Sequence, residues 1–209
     1  MKSDNFEKVL PEGYELKLHI DAKNKKTAIF YMILSLLPLV VIVAAACLII
    51  EFAGSGLSSL DSFYCTIALF AAVVAMIAYV ILHELVHGIT YKALTGGKLT
   101  FGLRWNVAFC GVPDIYVYRK AAKLAVLMPF LVFNVVFVAL TVGMYFVNEC
   151  AFLAAAFVFG MHLGGCMGDL HVTYMLDHKF KDSKTLMRDT GPEQFFYVYT
   201  GIEKAETEK

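Results

Sequence analysis

Four apolar stretches, each long enough to cross a bilayer as a helix, constrain this chain more than any other feature of its sequence. A hydrocarbon core about 30 Å thick requires roughly 20 apolar residues in a helix. The 209 residues are 59% hydrophobic and 17% charged, with a mean hydropathy of +0.65, whereas soluble domains are about half apolar and a quarter charged. We therefore predict an all-α membrane protein with four transmembrane helices, at about Ala28 to Ile50, Ser62 to the Gly96-Gly97 break, Ala122 to Val147, and Ala151 to Leu176.

The segments outside these stretches divide the chain into three parts. Residues 1–27 are largely polar, so the first apolar stretch begins too late for a cleaved signal peptide and is expected to be a retained span. Residues 28–176 form the predicted transmembrane domain. Residues 177–209 are expected to be a polar, mobile tail.

The basic residues predict the orientation of the spans. All 18 Lys and Arg residues lie before the first span, between the second and third, or after the fourth. The linkers 51–61 and 148–149 contain none. Since short cytoplasmic segments carry the Lys and Arg residues, both termini are predicted to be cytoplasmic. The net charge of zero gives no indication of a nucleic-acid partner.

The five cysteines are odd in number, scattered, and without a Cys-x-x-Cys pair. This pattern does not indicate a disulfide framework or a thiolate zinc site. We interpret them as small apolar residues that fill space, which is a common role of buried cysteine. They are Cys47, Cys65, Cys110, Cys150 and Cys166.

Two polar segments have the pattern of β-strands. The N-terminal "GYELKLHID" alternates polar and apolar residues, which favours a short strand or a segment on the membrane surface. The loop 96–120 contains "KLTFGLRW", "NVAFC" and "DIYVYRK", separated by turn signals. Such runs predict a small β-hairpin or sheet on the cytoplasmic side, between helices two and three.

The second span ends in "HELVHG", residues 83–88, which places three ionisable side chains in an apolar segment. His83 and His87 are four residues apart and share one helical face, so both imidazoles can bind one metal ion. Glu84 can then take a proton from a water molecule that the metal activates. Each ionisable residue in a span costs about 2.5 to 3.5 kcal/mol on insertion scales. We therefore favour a zinc site over a hydrogen-bonded structural cluster or a helix end at the interface.

The third zinc ligand must come from outside this motif. A metzincin would continue with Gly and His at positions where this chain has Thr90 and Ala93. Spans two and four run in the same direction, and Asp169 lies at a depth comparable to that of His87. Asp is an accepted zinc ligand, so Asp169 is the leading candidate, and His162 and His171 are the alternatives.

A row of small residues precedes Asp169 in the fourth span. Gly160, Gly164 and Gly168 repeat every four residues and allow close helix packing. The row fits close packing of spans two and four around a shared ion, and ordinary helix packing explains it equally well.

The order of several motifs resembles a known family. "LPEGY", "HELVHG", "VPDIYVYRK" before "LMPF", and "GDL" occur as in the small multi-pass membrane proteins called putative zincin peptidases. The chain is more distantly similar to the site-2 group of intramembrane metalloproteases, although that group's Asp-Gly context and Asn-Pro elements are not present here. The resemblance implies that His83, His87 and Asp169 ligate zinc and that Glu84 is the general base and acid.

These observations predict a membrane-embedded zinc metallopeptidase that cuts a peptide or membrane-protein substrate near the cytoplasmic leaflet. A bacterial plasma membrane is the expected location. The strand-like loop is expected to present a sheet edge to the peptide, or else to be a packed hairpin with no substrate role. The main alternative is a non-catalytic membrane protein that binds metal for structure or sensing. A metal transporter is disfavoured because the polar residues cluster at one depth.

Overall fold

Long apolar helices dominate the structure, a computed structural model that describes residues 5–104 and 107–201. Lys2, Lys204 and Lys209 of the basic segments, and Trp105 and Asn106 of the predicted hairpin, lie outside these residues. The described residues form five α-helices and a short 3-10 helix at Leu57–Ser59. The α-helices are α1 (Lys25–Ala53), α2 (Ser62–Thr95), α3 (Arg119–Tyr145), α4 (Glu149–Gly165) and α5 (Met167–His178).

Three of these helices, α1, α2 and α3, are long and apolar enough to cross a membrane. The pair α4 and α5 would make a fourth span if taken together, but it bends by 40° at Cys166. The predicted fourth span, Ala151 to Leu176, therefore corresponds to two helices with a bend between them rather than to one straight helix. Glycines on both sides of the break explain it, since glycine weakens a helix interior and permits sharp bends.

The described part of the chain divides into two compact units. The strand-rich unit comprises the described residues of Met1–Ala28, Glu84–Met128 and Asp169–Lys209. The helical unit comprises Ile29–His83 and Pro129–Gly168.

Seven strands lie in the strand-rich unit. Five form an antiparallel sheet in the order β1-β5-β6-β7-β2, while β3 and β4 form a separate hairpin. The strands are β1 (Phe6–Glu7), β2 (Tyr14–Asp21), β3 (Thr100–Arg104), β4 (Val107–Gly111), β5 (Tyr116–Tyr118), β6 (Leu186–Asp189) and β7 (Glu193–Tyr199).

Two strand predictions are confirmed and one expectation is wrong. The N-terminal strand is β2, and the predicted hairpin is β3 with β4, which pair from Thr100 opposite Gly111. The polar tail after residue 176 was expected to be mobile, yet it supplies β6 and β7. The run "EQFFYVY" in β7 is aromatic and β-branched, which favours a strand. Gly191, with a φ of 95°, permits the turn that joins the two strands.

The core of the strand-rich unit joins its helical segments to the sheet. Tyr91 of α2 and Leu176 of α5 are fully buried with Val117 and Phe196 of the sheet. The start of α3 contributes Ala121, Ala122, Ala125 and Val126 to this core. Burial of each large side chain stabilises the fold by about 1.5 to 3 kcal/mol. This core fixes the end of α2 and the start of α5, which carry the predicted ligands His87 and Asp169.

Close packing in the helical unit occurs between α4 and α1. A Cβ on Gly160 would lie 3.0 Å from the Cα of Leu39, and one on Gly164 would lie 2.6 Å from the carbonyl oxygen of Ser35. Around Gly168, no atom of the described residues lies within 4 Å of such a Cβ. The two glycines in contact face α1, so of the two interpretations of this row the structure agrees with ordinary helix packing rather than with packing on α2.

A disulfide joins Cys65, near the start of α2, to Cys150, near the start of α4. The interpretation of all five cysteines as space-filling residues is wrong for this pair. The two cysteines are 85 positions apart in the chain, so the sequence gives no local sign of the pairing. The other cysteines, Cys47, Cys110 and Cys166, are reduced thiols.

Candidate metal centre

Helix α2 presents the two motif histidines on one face. His83 and His87 lie one turn apart, and they are only 8% and 7% exposed although most of the helix surface around them is apolar. Glu84 follows His83 directly and is half-buried. The motif therefore combines two nearly buried imidazoles with a carboxylate that retains access to the surface.

Within the strand-rich unit, Asp169 reaches His87. Asp169 lies in the first turn of α5 with its side chain 23% exposed, and its Oδ2 atom is 3.5 Å from Nε2 of His87. This separation is long for an N–H···O hydrogen bond, which is commonly about 2.9 Å. It is instead close to the distance between two ligand atoms of a tetrahedral zinc ion, which is about 3.4 Å for bonds of about 2.0 to 2.2 Å. The pair is spaced as two ligands of one ion would be.

The other ring nitrogen of His87 fixes which atom is available to a metal. Nδ1 lies 2.9 Å from the carbonyl oxygen of Ala125. Since a carbonyl only accepts hydrogen bonds, Nδ1 carries a proton, and Nε2, the atom that faces Asp169, is the one that could bind a metal. Histidines that bind metals commonly donate their second N–H to such a partner.

Pro129 explains why the Ala125 carbonyl is available. In a helix this carbonyl would accept the N–H of the residue four positions later, and that residue is Pro129, which has no N–H. The proline inside α3 thus frees an acceptor, and His87 uses it. In the sequence, only the proline four residues after Ala125 marks this contact.

In the helical unit, a tyrosine links two histidines. The Tyr79 hydroxyl lies 2.9 Å from Nδ1 of His83 and 2.8 Å from Nδ1 of His162. Cys166 is close by, with its Sγ 3.6 Å from the same atom of His162. Candidate ligand atoms of His83, His162 and Cys166 lie within 4.8 Å of one another. Tyr79 was missed by sequence analysis, although its position one turn before His83 places it on the motif's face.

The two alternatives for the third ligand differ from Asp169 in their surroundings. His162 is fully buried with Tyr79 in the helical unit. His171 lies two residues beyond Asp169 in α5 and is half-buried. Asp169 lies at ligand spacing from His87.

The β3–β4 hairpin packs directly on α2 beside the motif. A Cβ on Gly88 would lie 2.7 Å from Cζ of Phe101 and 3.2 Å from Sγ of Cys110. The absence of a side chain at Gly88 therefore lets the hairpin lie against the helix next to His87. Burial, and then the charges of Glu84 and Asp189, raise the pKa of Cys110 to about 12. The Cys110 thiol therefore stays protonated at neutral pH.

A second buried contact ties α2 to the five-stranded sheet. The Tyr91 hydroxyl, one turn beyond His87, donates to Oδ2 of Asp189 at 2.7 Å, and the Gly191 N–H donates to Oδ1 at 2.8 Å. Burial raises the pKa of Asp189 from 3.8 to about 6, and the two hydrogen bonds offset part of this rise. This contact anchors the end of the motif helix to the sheet.

Comparison with known proteins gives one informative result. No curated protein and no solved structure matches the chain. The family model described as putative zincin peptidase matches residues 76–184, just over half of the chain. That range contains the whole HELVHG motif, Pro129 and Asp169. Since the match spans more than half of the chain and includes the part of α2 that carries the motif, the β3–β4 hairpin and α5, the chain belongs to the putative zincin peptidase family.

Proposed function

We propose that this protein is a membrane-embedded zinc peptidase in which His83, His87 and Asp169 hold the metal and Glu84 transfers protons. Its family suggests a metal-dependent protease and implies zinc. The observation that carries the assignment is the 3.5 Å spacing of His87 Nε2 and Asp169 Oδ2, with Nδ1 of His87 already bonded to Ala125.

The donor set fits a catalytic zinc ion. Catalytic sites use three protein ligands, commonly two imidazoles and a carboxylate, and leave the fourth position open. When bound, zinc supplies Lewis acidity that activates water and polarises the scissile carbonyl.

Glu84 has the position required of a general base and acid. It follows His83 by one residue, so its carboxylate projects from the face beside that of the two histidines. In this role it takes the proton of the attacking water and delivers it to the leaving amine nitrogen. Positioned proton transfer of this kind typically contributes about 10²- to 10⁴-fold to a rate.

We further propose that the protein spans a membrane with both termini in the cytoplasm. The three long apolar helices and the distribution of Lys and Arg support this orientation. The Cys65–Cys150 disulfide also supports it, because both cysteines lie near helix starts that the basic residues place on the opposite, oxidising side.

The β3–β4 hairpin supports a role in holding the substrate. It lies against Gly88, and Leu103 of β3 is 80% exposed. An exposed strand can bind an extended peptide through main-chain hydrogen bonds, with its side chains providing selectivity. The proposed substrate is thus a peptide or an unwound segment of a membrane protein, presented beside the motif helix.

The test compares wild type with Glu84→Gln, in detergent or in lipid vesicles, against a library of membrane-derived peptides with products read by mass spectrometry. The variant should keep its zinc and lose cleavage by roughly 10²- to 10⁴-fold. Glu12→Gln is the matched control, because it makes the same change at an exposed residue outside the site. Cleavage by Glu84→Gln at the wild-type rate would overturn the proposal. In addition, Asp169→Ala should weaken zinc binding, and unchanged affinity would exclude Asp169 as a ligand.

A further inference from the structure

We propose that Tyr79 and His162 are positioning residues that set the tautomer of His83 and thereby prepare it to bind zinc. The inference deepens the proposed function and rests on it, because it requires His83 to be a zinc ligand. It concerns a chain of hydrogen bonds that lies entirely within the helical unit.

The geometry places one hydroxyl between two imidazoles. The Tyr79 oxygen is within 2.9 Å of Nδ1 of His83 and 2.8 Å of Nδ1 of His162. All three side chains are buried. A hydroxyl has one proton to donate and two lone pairs with which to accept. The Tyr79 hydroxyl can therefore donate its proton to Nδ1 of one histidine and accept a hydrogen bond from Nδ1 of the other.

The direction of this chain decides whether His83 can bind a metal through Nε2. If Nδ1 of His83 carries a proton and donates to Tyr79, Nε2 has a free lone pair. The Tyr79 hydroxyl then donates to Nδ1 of His162, which must carry its own proton on Nε2. In the reverse direction Tyr79 donates to His83, whose proton then occupies Nε2 and blocks the metal. The acceptor on His162 therefore selects the metal-binding tautomer of His83.

Aromatic packing holds the hydroxyl in this position. The Tyr79 ring contacts Phe133 edge-on, with centroids 5.2 Å apart, and it contacts Phe137 at 5.3 Å. Phe137 also packs on the ring of His162 at 5.3 Å. In such an apolar environment hydrogen bonds are stronger and a misdirected polar group is more costly than in water. The surroundings thus favour one fixed arrangement of the chain.

The same residues also raise the question of a second metal site at His83, His162 and Cys166. The Tyr79 hydroxyl bonds to the Nδ1 atoms of both histidines and lies 4.0 Å from Sγ of Cys166. A metal bound through these Nδ1 atoms would have to displace it. We therefore assign this cluster as a hydrogen-bond network that serves His83. In the case of His87, the Ala125 main-chain carbonyl sets the tautomer, and because a carbonyl can only accept a hydrogen bond, Nδ1 must be the donor.

The experiment measures zinc affinity by chelator competition on the full-length protein in detergent. Tyr79→Phe and His162→Leu should each bind zinc roughly 10- to 100-fold more weakly, as is typical when the partner of a metal-binding histidine is lost. His162→Asn should stay close to wild type, because its Oδ1 can accept from Tyr79 where Nδ1 did. Tyr145→Phe is the matched control, since Tyr145 packs on Phe152 elsewhere in the helical unit.

A spectroscopic measurement separates tautomer control from a general loss of structure. In protein with ¹⁵N-labelled histidine, His83 should carry its proton on Nδ1 in wild type and in His162→Asn. It should show a mixture of tautomers in Tyr79→Phe. An unchanged tautomer and unchanged zinc affinity in Tyr79→Phe would overturn the inference. So would a second zinc equivalent in wild type that Cys166→Ser removes.

A further variant distinguishes failure of this inference from failure of the proposed function. His83→Ala should lose most zinc affinity if His83 is a ligand. If His83→Ala binds zinc normally, the proposed ligand set is wrong. If His83→Ala loses zinc while Tyr79→Phe does not, the ligand set stands and only the positioning role fails.

Discussion

Replacing Pro129 with alanine should stabilise helix α3 and weaken zinc binding at the same time. Alanine at this position supplies the N–H that proline lacks, and its helical acceptor is the Ala125 carbonyl. That carbonyl already accepts the Nδ1 proton of His87. The new N–H therefore competes with His87 for the atom that fixes its tautomer and orientation.

Pro129→Ala should raise the unfolding free energy and lower the zinc affinity, and the size of each effect can be assessed separately. Alanine is about 3 kcal/mol more favourable than proline in a helix interior, which sets the upper limit of the gain in unfolding free energy. Complete loss of a partner to a metal-binding histidine weakens affinity about 10- to 100-fold. Because a carbonyl has two lone pairs and can be shared, we expect Pro129→Ala to lie near the 10-fold end, about 1.4 kcal/mol.

The assay pairs thermal unfolding in detergent with zinc titration of the same preparations. Pro38→Ala in α1 is the matched control, because it also restores an N–H inside an apolar helix but lies far along the chain from the motif. It should gain stability and leave zinc affinity unchanged. If Pro129→Ala binds zinc as Pro38→Ala does, the helix proline is not what keeps the Ala125 carbonyl available to His87.

Two further predictions concern packing and pH. Gly164→Ala places a Cβ 2.6 Å from the Ser35 carbonyl oxygen, whereas at Gly143 no described atom lies within 4 Å. Both changes replace a helical glycine with alanine and so gain the same helix propensity. Gly164→Ala should therefore be about 1 to 3 kcal/mol less stable than Gly143→Ala, which corresponds to a melting temperature roughly 2 to 12 °C lower. Equal melting temperatures would refute the close α1–α4 contact. Folding raises the pKa of Asp189 from 3.8 to about 6, so its contribution to stability is greatest below pH 3.8, declines as pH rises to 6, and is constant above that. The stability of Asp189→Asn relative to wild type should therefore rise by about 3 kcal/mol between pH 3.8 and 7, and a pH-independent difference in melting curves would show that Asp189 is not buried as described.

Local patterns predicted most of the fold, and contacts between distant segments account for what was missed. The helices α1 to α3 follow from apolar length alone, and the β3–β4 hairpin from aromatic and β-branched runs between turn signals. The strands β6 and β7 were missed because "EQFFYVY" lies in a charged tail. This segment forms a strand by pairing with β2, which is distant in the sequence. The disulfide and the packing of Gly164 on α1 likewise depend on which helices are neighbours, which hydropathy does not specify.

The same limit applied to the site. The spacing of His83 and His87 identified the motif because an i, i+4 pair is local. The hydrogen-bond partners of these histidines, the Tyr79 hydroxyl and the Ala125 carbonyl, differ in how far the sequence reveals them. Tyr79 is itself one turn from His83 and was open to the same reasoning, whereas Ala125 carries no side-chain signal and is marked only by the proline four residues later.

The break at Cys166 changes the physical reason for expecting a metal at Asp169. In an unbroken span, Asp169 would be a carboxylate in the middle of an apolar helix, and its cost alone would argue for a bound cation. The structure instead places it in the first turn of α5, where the helix dipole favours negative charge by about 0.3 to 1 kcal/mol, and leaves its side chain 23% exposed. Asp169 is therefore tolerable without a metal, and depth in the membrane no longer argues for one. Asp169 is instead a candidate ligand because it lies 3.5 Å from Nε2 of His87, whose Nδ1 is already hydrogen-bonded to Ala125. This criterion is more specific than membrane depth, because it depends on the distance between two identified atoms rather than on position along a span.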